Sequence, residues 1–166
     1  GGHASIPPKD TPLVRLGKFM AAVEKKNLFK TEMAPIIHAT FESLAGAMSW
    51  PLKFVLKNSR LFKPLLVKVM PMVSGAAGAM LRTTVAFTMA SGSEGTNVLP
   101  QEAWVIANMR YSHHQGGKSS IEAISKLAEK YDIETVVLDP GVDSPISSHD
   151  SDAYKFITKA VTNVFP

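Results

Sequence analysis

Apolar residues recur with helical spacing in two stretches of the chain. Residues 12–26 place their large apolar side chains on one face, and Pro12 suits the first position of a helix. Residues 120–131 carry a second apolar stripe, and Ser119 with Glu122 has the spacing of a capping box. The pattern predicts two amphipathic helices.

Three other stretches have the period of two that is typical of β-strands. Apolar and polar positions alternate over residues 83–90 and again over 103–111, with a loop rich in Gly, Ser, Asn and Pro between them. Residues 133–138 form a short β-branched and apolar run. Successive strands with such a connection favour antiparallel pairing.

Residues 31–81 have a different character. They are helix-like, rich in Met, Leu and Phe, and interrupted by four prolines. Residues 50–70 mix large apolar residues with five basic ones, Lys53, Lys57, Arg60, Lys63 and Lys68. The favoured interpretation is a helical hairpin that packs on a core and leaves its charges in water. The alternative is a helix that faces a membrane surface or lipid.

The order of elements indicates the fold class. It reads helix, helical insert, strand, strand, helix, strand, and one more strand ending at Gly1 would complete β-α-β-β-α-β. We therefore predict an α+β, ferredoxin-like domain: a four-stranded antiparallel sheet with two helices on one face. Its first strand is expected to be truncated in this chain.

Composition excludes several classes of function. The 166 residues suffice for one domain, or for one domain and part of another. Cysteine is absent, which excludes disulfides and thiolate metal sites and leaves the compartment open, with the cytoplasm as the default expectation. The net charge of +4 comes without a basic, aromatic-rich stripe, so we expect no nucleic-acid partner. No run of 18 apolar residues predicts a membrane span.

The first eight residues, "GGHASIPP", raise the question of chemistry. Gly1 and Gly2 permit a close approach of another surface, and Pro7 with Pro8 prevents helix formation. These constraints predict that His3 lies on a shaped loop. The residues alone favour a capping turn or a vector-derived remnant over a functional histidine.

Four segments together carry a resemblance to a known family. "GGHASIPP" is followed by a helix, by "GTNVLP", and by "ANMR", whose Arg110 lies thirteen residues after Asn97. This order is similar to the lid, or dimerisation, domain of the zinc-dependent metallopeptidase family 20, which includes aminoacylase, carnosinase, desuccinylases and carboxypeptidases. The insert "SWPLKFVLKNSRLFKPLLVKVM" resembles the branch of carboxypeptidase S and the N-fatty-acyl-amino-acid hydrolases.

The resemblance implies that the chain is part of a larger enzyme. Residues 1–140 would form the lid, with 31–81 as its helical insert, and 141–166 would be a linker and a helix returning to a metal-binding catalytic domain. The parent would be a homodimer that hydrolyses peptides or N-acyl amino acids with two zinc ions bound outside this segment. This segment alone would bind no cofactor and have no activity.

The histidines other than His3 do not have the spacing of a metal site. His38 and His149 lie in unrelated contexts, and the adjacent His113 and His114 point apart. We expect this last pair to be exposed to solvent, and we expect no metal ligands in this segment.

The resemblance also implies roles for individual residues. His3 would be the catalytic residue of the lid, entering the partner subunit's site to stabilise the oxyanion of the reaction. Asn97 and Arg110 would bind the substrate backbone and its terminal carboxylate, for which the planar guanidinium is well suited. Strand alternation places Arg110 opposite the side chains that face the helices. Without the family, a turn Asn and a surface Arg would be the favoured interpretations, and Ser5 is expected to satisfy the loop backbone.

A second class of function stays open on the sequence alone. The chain could be a stand-alone ferredoxin-like binding module whose apolar insert binds a lipid or a protein. Zinc-ligand motifs on both sides of this segment in the full reading frame would decide for the hydrolase.

Overall fold

The computed structural model describes residues 2–165, and Gly1 and Pro166 lie outside the described residues. Helices and strands follow one another in groups along the chain, which is an α+β arrangement. The elements in chain order are β1 (Gly2–His3), α1 (Pro12–Lys25), α2 (Pro35–Leu44), α3 (Trp50–Lys57), α4 (Lys63–Val73), α5 (Gly75–Ala79), β2 (Thr84–Ser91), β3 (Val98–Leu99), β4 (Trp104–Arg110), α6 (Gly116–Glu129) and α7 (Asp152–Val164).

The strands form two antiparallel pairs. β2 pairs with β4 from Thr84 opposite Arg110 to Ser91 opposite Trp104, with one irregularity after Phe87. β1 pairs with β3 over two residues each. The predicted pairing of residues 83–90 with 103–111 is therefore confirmed. β1 and β3 form a separate two-stranded sheet, so the described residues do not form the predicted four-stranded sheet, and the predicted strand ending at Gly1 lies outside them.

The main core lies between the β2–β4 pair and the two predicted helices. Phe19 of α1 contacts Phe87 of β2 edge-on, with ring centroids 5.9 Å apart, and Tyr131 after α6 at 6.3 Å. Ala107 and Met109 of β4 pack against the same cluster. Helices α1 and α6 thus contribute to a single core on one face of the strands, as the apolar stripes predicted.

The predicted strand at residues 133–138 is wrong for this chain. The segment has no strand assignment, and its apolar residues Val136 and Leu138 are 70% and 76% exposed. A cleft of about 420 Å³, lined by β4, α6 and residues 133–139, lies where a pairing partner would be. β-propensity describes how well side chains fit a sheet surface, and it forms no strand without a backbone partner.

The predicted capping box at Ser119 and Glu122 is also wrong. Helix α6 begins earlier, at Gly116, whose φ of +71° is a conformation that favours glycine. The Oδ1 of Asp143 accepts a hydrogen bond of 2.9 Å from the backbone N–H of Gly117. A carboxylate from a distant loop therefore caps this helix, which local spacing does not reveal.

Helices α2 to α5 form the insert around a second core. Leu56 of α3 and Met70 of α4 are buried there. A Cβ on Gly78 would lie 3.1 Å from the Cα of Pro71, so the missing side chain lets α5 approach α4 closely. The charged positions of α3 and α4 stay outside this core, as the favoured hairpin interpretation predicted.

The insert core contains one buried ionisable group. His38 is 7% exposed, and its Nδ1 lies 2.8 Å from the Oγ of Ser59. Burial lowers the pKa of His38 below 6.5, the positive charges of Arg60 and Lys63 lower it further, and Glu42 opposes them.

We therefore expect acid to destabilise the insert. Unfolded His38 gains a proton as the pH falls below about 6.5, whereas folded His38 resists it, so the free energy of unfolding should decrease below that pH. Denaturant titrations at pH 7.5 and 5.5 measure the effect. The His38→Asn variant should lose part of this pH dependence, and His149→Asn, at an exposed position, should retain all of it. Equal slopes for all three proteins would contradict the argument.

Candidate functional site

His3 lies at the end of β1, where the chain turns. It pairs with Val98 in the β1–β3 ladder, and its carbonyl accepts a hydrogen bond of 3.3 Å from the N–H of Ile6. The N–H of Ala4 donates to the carbonyl of Asn97 at 3.0 Å. The histidine is exposed as predicted, but it belongs to a two-residue strand and its turn, where the sequence predicted a loop.

The imidazole of His3 is oriented by its own turn. The backbone N–H of Ser5 points to His3 Nδ1 at 3.2 Å, and the Oγ of Ser5 lies 2.8 Å from the same nitrogen. A backbone N–H can only donate, so Nδ1 is the acceptor and the proton of the neutral ring is on Nε2. Among the hydrogen bonds of residues 2–165, none involves Nε2. The turn therefore presents an N–H donor to the surroundings.

Sequence reasoning missed this role of Ser5. The prediction was that its hydroxyl satisfies the loop backbone, whereas the Oγ contacts the imidazole ring. The signal is the spacing of two residues between a histidine and a serine, which brings Oγ and Nδ1 together when the chain turns directly after His3.

Asn97 lies in the turn that precedes β3. It is exposed, and its main-chain carbonyl accepts the hydrogen bond from Ala4, so its backbone lies beside the His3 turn. The loop from β2 passes over the start of α1, because a Cβ on Gly92 would lie 2.9 Å from the Cδ2 of Leu13. The structure thus brings His3 and Asn97 to one end of the domain.

Arg110 is the last residue of β4 and is exposed. It pairs with Thr84, and alternation along the strand places it opposite Ala107 and Met109, which pack in the core. The predicted orientation of Arg110 away from the helices is confirmed. It lies six positions, or about 20 Å, from Trp104 at the other end of β4. The hydrogen bonds and ion pairs of the described residues include none between Arg110 and the other two candidates.

The described residues hold no group of three or more His, Asp or Glu side chains that could bind a metal ion. His114 is half-buried where exposure was predicted, because its Nε2 lies 2.9 Å from the carbonyl oxygen of Lys30. Two carboxyls have lowered pKa values because surface lysines hydrogen-bond to them, Asp10 through Lys18 and Glu32 through Lys30. These pairs perturb ionisation without forming a catalytic cluster.

No helix within residues 2–165 is both long and apolar enough to cross a bilayer.

The exposed histidine turn, the antiparallel strands and the helices on one face define a lid-like α+β domain. The family comparison makes this class specific: a protein-family model described as a peptidase dimerisation domain matches residues 1–136, and the chain belongs to that family.

Curated relatives agree with this assignment. The chain is 31% identical over 170 residues to the N-fatty-acyl-amino acid synthase/hydrolase of Bos taurus, covering 99% of this chain and 33% of the relative. It is 28% identical over 167 residues to a Danio rerio protein of the same name, covering 99% and 32%. A probable carboxypeptidase S-like protein of Dictyostelium discoideum is 25% identical over 173 residues, covering 100% and 32%. No solved structure matches significantly.

The chain spans about one third of the length of these curated relatives. The family and branch predicted from the four sequence segments are therefore confirmed, and the activity of a whole enzyme is a matter for proposal.

Proposed function

We propose that this chain is the lid and dimerisation domain of a homodimeric zinc-dependent hydrolase that cleaves peptides or N-acyl amino acids. Membership of the peptidase dimerisation family supports the role of the domain. The printed names of the relatives, N-fatty-acyl-amino acid synthase/hydrolase and carboxypeptidase S-like protein, support the substrate class. The observation that carries the proposal is the exposed His3 turn, in which Ser5 holds Nδ1 and leaves the ring proton on Nε2.

An N–H donor in this position suits amide hydrolysis. Attack on an amide carbon builds negative charge on the carbonyl oxygen, and one donor placed at that oxygen lowers the barrier by about 3–4 kcal/mol. The ring that Ser5 orients supplies such a donor through Nε2. Because His3 lies on the outside of its domain, we propose that it reaches the site of the partner subunit.

Two zinc ions would polarise the carbonyl and activate water in the parent enzyme. The described residues offer no donor set for them, so we place them in a separate domain and assign no step of this chain to them. In this scheme Asn97 binds the substrate backbone beside His3, and Arg110 binds the terminal carboxylate.

The architecture of the parent follows the same proposal. We propose residues 1–140 as the lid, 31–81 as its insert, and 141–166 as the return to the catalytic domain. Helix α7 supports the last assignment, because none of its residues is buried. Even its apolar side chains Phe156 and Ile157 are 74% and 60% exposed. A helix with this much exposed apolar surface needs another surface to cover it.

We also propose that the parent sheet is ferredoxin-like, with a strand ahead of Gly1 between β4 and residues 133–138. In the antiparallel register of β1, each step backwards from Gly2 moves one residue forwards from Leu99, towards β4. The cleft of about 420 Å³ lies beside β4 in that direction. A strand placed there would give residues 133–138 the backbone partner that they lack.

Hydrogen exchange of the full-length protein tests this architecture. Amides of residues 134–138 should exchange more slowly in the full-length protein than in the 166-residue chain, because a ladder would form on the open edge. Residues 84–91 already pair with β4 and serve as the internal control. Equal exchange of residues 134–138 in both proteins would contradict the proposed strand.

Substitution of His3 tests the proposed chemistry. In the full-length enzyme, His3→Ala should lower kcat about 10²–10³-fold, because one oxyanion donor is lost. His3→Gln, which keeps an N–H donor, should lose less. Zinc content and dimerisation should not change, and His149→Ala is the matched exposed control. Unchanged kcat in His3→Ala would overturn the catalytic role.

Mixed dimers test whether His3 acts in the partner subunit. A His3→Ala subunit and a subunit lacking its general base are each inactive as homodimers. Random pairing makes about half of the mixed dimers heterodimers, each with one complete site, so activity should recover to about a quarter of wild type. If subunits exchange and no activity returns, His3 does not act across the dimer.

Arg110 should affect substrate binding more than turnover. Loss of a charge-assisted pair with the substrate carboxylate in Arg110→Ala should raise KM about 10–100-fold and leave kcat nearly unchanged, since the clamp binds ground and transition states alike. Steady-state kinetics on N-acyl amino acids measure this, with Lys130→Ala as the control. A fall in kcat at constant KM would contradict the assignment.

A further inference from the structure

Helix α3 presents an apolar and basic stripe on its exposed side. Trp50, Lys53, Phe54 and Lys57 follow the spacing i, i+3, i+4, i+7, which places them on one face. Trp50 is 78% exposed and Phe54 is 51% exposed. Leu56, on the other side of the helix, is buried in the insert core. The helix therefore satisfies its core with one face and leaves an aromatic face uncovered.

Helix α4 repeats this arrangement. Leu65, Lys68, Val69 and Met72 have the same spacing and all are exposed, the first at 53% and the last at 79%. Met70 is buried in the insert core. Two neighbouring helices thus each carry lysine between large apolar side chains on the side away from the core.

Aromatic contacts connect the stripe of α3 to the residue just before α4. The ring of Phe54 stacks on Trp50 with centroids 6.4 Å apart, and it meets Phe62, just before α4, edge-on at 5.9 Å. The adjacent Leu61 is 75% exposed. We call this surface the insert face and define it by Trp50, Lys53, Phe54, Lys57, Leu61, Leu65, Lys68, Val69 and Met72.

The segment that forms the insert face carries charge of a single sign. Between Glu42 and Glu94 the sequence contains six basic residues and no acidic residue: Lys53, Lys57, Arg60, Lys63, Lys68 and Arg82. The excess charge therefore favours an anionic partner. The apolar side chains require that the same partner also accept hydrophobic groups.

Two kinds of partner combine negative charge with hydrophobic groups: another protein and an anionic lipid surface. The lysines of the insert face distinguish between them. Protein interfaces are depleted in lysine, whereas a lysine at a lipid surface buries its carbon chain and extends its ammonium group to the headgroups. Aromatic residues, above all Trp, favour the boundary between headgroups and acyl chains. We propose that the insert face docks on the surface of an anionic lipid bilayer without spanning it. The proposal depends on the insert alone and not on the catalytic role of His3.

Vesicle binding by the full-length protein tests the proposal. The protein should cosediment with vesicles of phosphatidylcholine and phosphatidylserine, bind pure phosphatidylcholine vesicles much more weakly, and release in high salt. Enzyme activity is not the readout, so failure of binding leaves the proposed hydrolase untouched, and an inactive enzyme can still bind vesicles.

Two sets of variants separate charge from insertion. Lys53→Gln, Lys57→Gln and Lys68→Gln together should raise the apparent Kd for anionic vesicles by about two orders of magnitude. Trp50→Ser with Leu65→Ser should also weaken binding, because apolar surface is lost from the boundary. Lys25→Gln, Lys26→Gln and Lys130→Gln remove the same charge elsewhere and should have little effect.

Three results would overturn the proposal. Absence of binding to anionic vesicles would mean that another domain, a second copy or a protein partner covers the insert face. An equal loss of vesicle binding in the control lysine variant would show that binding depends on net charge and not on the position of the lysines. Unchanged binding of the Trp50→Ser, Leu65→Ser variant would exclude contact of the apolar side chains with the bilayer.

Discussion

The antiparallel pairing of β2 with β4 is the constraint on which the rest of the domain depends. Since neighbouring side chains on a strand point to opposite faces, the register that sets Thr84 against Arg110 sends Phe87 and Met109 towards the helices. The same register sends the guanidinium to the opposite face. A slip by one residue would bury Arg110 and expose the core residues. The position of the core and the orientation of Arg110, a candidate substrate-binding residue, are therefore a single consequence of strand register.

The His3 turn depends on weaker interactions. β1 and β3 pair over two residues each, both residues of β1 are exposed, and the hydrogen bonds that hold the turn are made chiefly by backbone groups. Such short exposed pairs belong to the least protected parts of a fold. If His3 enters the partner subunit as proposed, it must project from its own domain, and a projecting residue has few contacts of its own. The short strand and the local Ser5 contact orient the ring under this constraint.

Sequence periodicity predicted the elements whose partners lie within the chain. Spacing predicts helix α1 and the β2–β4 pair, because each buries its apolar side against another described element. The face of Arg110 follows from the same alternation along β4. Residues 133–138 have equally good strand composition, but their backbone finds no partner here. The cap of α6 comes from Asp143, 26 residues after Gly117, and the Ser5 contact depends on a turn that composition alone does not fix. Prediction failed where the deciding partner was distant, absent from the described residues or a matter of local geometry.

Helices α3 and α4 carry two different surfaces on opposite sides, one buried in the insert core and one exposed. Leu56 and Met70 bury surface in a small core, which fixes how α3 and α4 rotate. That rotation necessarily turns Trp50 and Met72 outwards, at 78% and 79% exposure. A hairpin whose only purpose was to pack on the domain would be expected to carry polar residues there, as helix surfaces normally do. The aromatic and aliphatic side chains between the lysines are therefore a property of the outer face itself, and the proposed contact with a lipid surface accounts for them where the stability of the insert does not.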